Sequence, residues 1–144
     1  MKNKRIIINW ILLILWIIII FFMSHQPAEV SNQQSDLIIQ IFNKIGLDLN
    51  SYLGSLATFI IRKTAHFTEY FILYILANNV LRYYFSDKKK RIYILIFVLI
   101  YAISDEVHQY FVPGKAMALR DVLIDFSGGF TACLVEIIYK YIKK

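Results

Sequence analysis

A chain of 144 residues is enough for one domain, and 58% of its residues are apolar, with a mean hydropathy of +0.55. Soluble domains run at about 45–50% apolar, so this excess, gathered in blocks, excludes an ordinary soluble fold and marks a membrane protein. The net charge of +6 does not indicate a nucleic-acid partner, because the basic residues sit at the ends of apolar blocks, the pattern of membrane orientation.

The first block, Ile6 to Met23, follows the basic stretch MKNKR. A helix over it rises roughly 27 Å, close to the hydrocarbon thickness of a bilayer. The apolar region of a secretory leader is shorter, about 7–15 residues, and is followed by small residues at the cut. Here Ser24-His25-Gln26-Pro27 follows, so the block is read as an uncleaved first span. A connection from Ser24 to Thr58 comes next. Pro27 ends the first helix, Ser31 and Gln34 have capping-box spacing, and Ile38, Ile41, Phe42 and Ile45 recur at i, i+3, i+4 and i+7. With Gly46 as the stop, this predicts a short amphipathic helix lying on the outer membrane face.

The second block, Phe59 to Leu81, carries Arg62, Lys63, His66 and Glu69. Each charge at a helix centre costs about 2.5–3.5 kcal/mol on insertion scales, so the span is marginal by itself. Parity decides for crossing: otherwise the run Lys88-Lys89-Lys90-Arg91 would lie outside, against the preference of basic residues for the cytoplasm. The third span is read over 92–110 and the fourth over 122–142. With four crossings, Lys2, Lys4, Arg5, Arg82, Lys88, Lys89, Lys90, Arg91, Lys140, Lys143 and Lys144 share the cytoplasmic side with both termini, and of the ten acids only Asp87 and Glu136 join them. The expected architecture is all-α: a single domain over 1–144, a four-helix transmembrane bundle with spans at about 6–23, 59–81, 92–110 and 122–142, and the amphipathic helix between spans one and two. Cys133, alone in an apolar run, reads as a packing residue.

Four segments distant in sequence then bring polar residues to the same outer end: SHQP, RKTAHFTEY, SDEVHQYF and LRDVLID. Helical rise puts Asp105 roughly 20 Å above the inner boundary, and hence below the outer surface. Arg62, His66 and Glu69 share one helical stripe; Asp105, His108 and Gln109 share another; Asp121 and Asp125 form a third, running on to Gly128 and Gly129. Ionisable groups at such depth face an interior or a water-filled cavity and pair with one another. A polar pocket is therefore expected among the helices, with Arg62, Lys63, His66, Glu69, Asp105, Glu106, His108, Gln109, Lys115, Arg120, Asp121 and Asp125 as its candidates. The plainer alternatives are snorkelling for Arg62 and Lys63, a packing lock for His66 and structural ion pairs for Asp105 and Asp125. Val112-Pro113-Gly114-Lys115 reads as a turn. Gly128 with Ala132, and Gly129 with Cys133, are small-residue pairs that favour close helix packing. Acids with two histidines have the donors for a divalent metal, but no zinc spacing such as HExxH occurs, so no metal ligand is assigned and the cofactor stays open. The cytoplasmic halves hold few polar groups, chiefly Asn78, Asn79 and Glu136, which argues against a transporter.

At these residues the chain resembles the VanZ-like family of bacterial membrane proteins. SHQP, RKTAHFTEYFILY, YAISDEVHQYFVPGKAMALRDVLID and the following Gly128-Gly129 carry the likeness, and the combination of RKxxHFxEY with SDExxQxFVPG is distinctive. The matching positions add Tyr70 to the candidates. Two positions depart from the family's usual pattern: Lys115 stands where Arg is usual, and Asp125 where Asn is common. The resemblance implies a multi-pass protein of the bacterial cell membrane with a role in the cell envelope. The family is linked through its namesake to low-level resistance to the glycopeptide antibiotic teicoplanin. Two functions follow as expectations. One is binding of an envelope lipid or cell-wall precursor at the extracytoplasmic end. The other is a small intramembrane enzyme that hydrolyses such a lipid, or transfers a group from it, with His, Glu and Asp as acid and base.

Overall fold

The computed structural model describes residues 2–143; Met1 and the basic Lys144 lie outside them. The described residues contain helices and no strands: α1 (Lys2–His25), α2 (Ala28–Lys44), α3 (Leu49–Leu53), a 3-10 turn at Gly54–Leu56, α4 (Ala57–Leu81), α5 (Asp87–Gln109) and α6 (Leu119–Ile142). Three of these, α1, α5 and α6, are long and apolar enough to cross a membrane. Helix α4 has 25 residues, but its ionisable residues interrupt its apolar run. It nevertheless occupies the centre, packing against every other helix. Tyr70, Leu73, Tyr74, Ala77 and Val80 bring it into a core completed by Leu13 and Ile20 of α1, Ile94, Val98 and Ala102 of α5, and Val122, Ala132 and Cys133 of α6.

Glycine sets the closest approach. A Cβ on Gly128 would collide with the carbonyl oxygen of Phe67 in α4, and one on Gly129 would lie 2.7 Å from Val98 Cγ1 of α5. The small residues expected to allow tight packing thus do so, against backbone in one case and a branched side chain in the other. Helix α1 is gripped differently. Ile7, Ile8, Ile11, Ile14, Leu15 and Ile18 are exposed, and polar cross-links fix it to the bundle: Trp16 Nε1 donates to the Glu69 carbonyl at 2.9 Å, and Tyr101 Oη to the Ile17 carbonyl at 2.9 Å. Between apolar helices in lipid no hydrophobic force holds such a contact, so these hydrogen bonds and van der Waals packing must.

Two boundaries differ from the expectation. Helix α2 begins at Ala28, and the Ser31–Gln34 capping box is not used: Pro27, at φ −54°, precedes the first turn, and Ser31 N–H donates to the Pro27 carbonyl. Pro27 is itself the N-cap, in extended backbone with ψ 153°, and has no side-chain oxygen with which to cap the first turn. Gly46, at φ +89°, closes the helix end as expected, its N–H donating to the Asn43 carbonyl. Helix α5 begins at Asp87, a turn before the first apolar residue, because an acid in the first turn suits the helix dipole and pairs with Lys90. All four positions of the apolar stripe, Ile38, Ile41 and Phe42 on α2 and Ile45 at its C-cap, are exposed, while Ser35 and Ile39 are buried.

Candidate functional site

The C-terminal end of α1, the first half of α4, the end of α5 and the start of α6 meet at one end of the bundle, as their polar residues required. Asp105 is the hub. Its Oδ2 accepts from Ser24 Oγ at 2.7 Å and from Gln109 Nε2 at 2.9 Å, and Gln109 Nε2 also reaches Ser24 Oγ at 3.2 Å. Lys115 Nζ donates to the Ser24 carbonyl at 2.9 Å, so α1, α5 and the loop after α5 converge on Ser24. Burial, and Arg62 nearby, lower the Lys115 pKa from its ordinary value, while Asp105 pulls the other way. The loop is a type II turn: Lys115 N–H donates to the Val112 carbonyl, Pro113 holds the first corner and Gly114 takes φ +74° at the second.

Next to the hub, Asp125 is fully buried and neither of its carboxylate oxygens has a hydrogen-bond partner. His66 Nδ1 lies 3.4 Å from Asp125 Oδ1. One ligating atom each from His66, Asp105 and Asp125 falls within 4.8 Å of the others. His66 also faces a chamber of about 100 Å³, lined with Ser24, Ser31, Gln34, Ser35, Arg62, Glu69 and Lys115. Against the chamber lies a larger apolar groove of about 530 Å³ between α2, α3 and α4, with Trp16, Phe42, Leu49, Leu53 and Ile72 on its walls. Chamber and groove share Ile38, Ile61, Ala65 and Glu69. No hydrogen bond to the Glu69 carboxylate occurs among the described residues, and this group sits where the polar and apolar spaces join.

The remaining candidates divide. Arg62 Nη1 donates to Asn32 Oδ1 at 3.0 Å, tying α4 to α2 at the chamber wall. Lys63 pairs with Asp121 at 2.7 Å, outside the chamber. Arg120 is exposed at that rim, 3.5 Å from Asp121 and stacked over the Phe59 ring at 4.9 Å. Glu106 turns away from the hub: its Oε2 accepts from Ala118 N–H at 3.0 Å, which anchors the residue preceding α6. His108 is in a surface pair with His25, their ring nitrogens 3.1 Å apart. Tyr70 is in the core with its hydroxyl unbonded. The chamber thus gathers Arg62, His66, Glu69 and Lys115, the buried cluster behind His66 holds Asp105, Gln109 and Asp125, and Lys63, Tyr70, Glu106, His108, Arg120 and Asp121 lie outside both.

Sequence reasoning passed over the wall supplied by α2. Ser31, Gln34 and Ser35 stand at i, i+3 and i+4, a polar stripe running into Ile38, and were legible by the same periodicity used for the apolar positions. It also took the opposite end as nearly free of polar groups. There Glu136 accepts from Tyr74 Oη at 2.8 Å, lies 3.2 Å from Lys90 and 2.9 Å from Lys140, and is flanked by Arg91; Asp87 completes the cluster. Spacings of Asp87 to Lys90 and Glu136 to Lys140 signalled it.

An all-helical bundle with exposed apolar helices and a polar site enclosed at one end is the build of a membrane-type protein. The chain belongs to the VanZ/LLP1 family, whose profile matches residues 9–140. No curated relative and no solved structure matches it.

Proposed function

We propose that the chain is a four-span protein of the bacterial cell envelope, with the chamber at the extracytoplasmic face and α2 along the outer membrane surface, and that it binds an anionic envelope lipid. The headgroup sits in the chamber, where Arg62 and Lys115 suit phosphate or carboxylate, and the chain lies in the apolar groove. The observation that carries this reading is the shared wall: a polar chamber opening onto an apolar groove matches an amphiphile in shape and polarity. Purification into nanodiscs followed by mass spectrometry of retained lipid tests it. One anionic lipid class should be enriched over the bulk membrane and lost from Arg62→Ala/Lys115→Ala; retained lipid matching bulk composition refutes the reading. Orientation is tested separately in a Cys133→Ser background. An impermeant thiol reagent on intact cells should label Tyr52→Cys and spare Lys89→Cys; the reverse pattern inverts the proposed topology.

A second reading has support in the unbonded Glu69 carboxylate at the junction of chamber and groove. A base placed beside a bound headgroup suits hydrolysis or group transfer on that lipid. Glu69→Gln would then retain the lipid and lose its turnover, whereas a pure binding protein shows no turnover in either form.

A further inference from the structure

Asp125 lies in the interior, 0% exposed, with both oxygens lacking a hydrogen-bond donor. An ionised carboxylate in that position needs a positive partner. The lysine that neighbours it, Lys63, is paired with Asp121 at 2.7 Å. His66 Nδ1 is 3.4 Å from Asp125 Oδ1 and is itself buried without a hydrogen bond. That separation exceeds the usual N–H···O range of about 2.7–3.2 Å. It fits two donors sharing one tetrahedral ion: ligands about 2.0–2.1 Å from such an ion stand about 3.3 Å apart. Asp105 brings a third donor within the same 4.8 Å cluster, and Ser24 and Gln109 hold its carboxylate by hydrogen bonds, as groups behind a ligating carboxylate do.

We propose that His66, Asp105 and Asp125 form a binding site for a divalent transition-metal cation. One imidazole nitrogen and two carboxylates suit zinc or manganese, whereas magnesium and calcium favour all-oxygen shells. The ion balances the two buried carboxylates. His66 also lines the chamber, so a further ligand reaches the ion from there. The site does not depend on what the chamber holds.

The test uses the full chain in nanodiscs, stripped with a chelator and dialysed against Zn²⁺ or Mn²⁺ in excess Mg²⁺, with bound metal read by elemental analysis. Loading with Co²⁺ gives a second readout through its visible absorption. About one Zn²⁺ or Mn²⁺ per chain is expected, with affinity falling at least about tenfold in His66→Gln and Asp125→Asn. His108→Gln, which removes the surface His25–His108 pair, should leave binding unchanged. Absence of bound metal in the unsubstituted chain overturns the proposal, as does binding that follows His108 and ignores Asp125. Should Asp125→Asn fail to accumulate, the metal content of the unsubstituted chain together with His66→Gln decides.

Discussion

Helix α6 carries an acid near each end of the bundle, Asp125 buried and Glu136 nearly so, and the two are treated in opposite ways. At one end Glu136 accepts or pairs with Tyr74, Lys90, Arg91 and Lys140, and Lys90, 1% exposed, is held between Glu136 and Asp87. At the other, Asp125 has one histidine at 3.4 Å and no hydrogen bond, while Glu69 faces the chamber unbonded. A closed network of this kind is an internal rivet: every charge has its partner and none is left to meet a ligand. The open cluster holds unused donors and acceptors beside a cavity, as groups reserved for something outside the chain are.

The comparison is broken most directly at Glu136. Glu136→Gln leaves the buried Lys90 with only Asp87, at 3.1 Å, as counter-charge, and in soluble interiors loss of a buried partner costs up to about 3–5 kcal/mol. We expect the largest drop in folded abundance here, read by thermal unfolding in detergent or bicelles, with Lys90→Met restoring part of it. Gly128→Ala comes next. It inserts a methyl group where α6 touches the backbone of α4, and overpacking costs about 1–3 kcal/mol. Because α6 carries both acids, this variant should also weaken ligand retention at the open end. Asp125→Asn, measured in chelator, should leave the melting temperature unchanged or higher: it removes a charge that has no hydrogen bond to lose. A loss as large as that of Glu136→Gln would erase the distinction between the two ends. The smallest effect is expected at the rim, where Lys63→Gln breaks a pair with Asp121 that still has Arg120 at 3.5 Å; chamber binding should survive it.

The helices were legible because their apolar blocks are long and their punctuation is strong: Pro27, Gly46 and the turn at Val112–Lys115 all lie where the chain changes course. The meeting of His66, Asp105 and Asp125 was legible too, from helical stripes and shared depth. Periodicity does not say which neighbour a side chain turns toward. Asp105 and Glu106 are adjacent and both buried, yet one organises the hub and the other anchors Ala118. His108 shares a stripe with Asp105 and still ends at the surface against His25, on the outward side of a turn whose Glu106 and Gln109 stay buried. The α2 wall was missed because its residues are uncharged, and the Lys90–Glu136 network because a lysine beside a run of lysines reads as loop.

The central position of α4 has a consequence for how the chain is made. Its ionisable residues leave the ribosome well before the helix that answers two of them: Lys63 pairs with Asp121 and His66 neighbours Asp125, both on α6. If the chain crosses the membrane four times, as proposed, α4 is a poor span until α6 exists. A nascent chain stopped after α5 would therefore expose an unaccompanied lysine and histidine to lipid, a state that membrane quality-control proteases can recognise. Under the proposed four-span topology, stable insertion of α4 is completed only once α6 has been made.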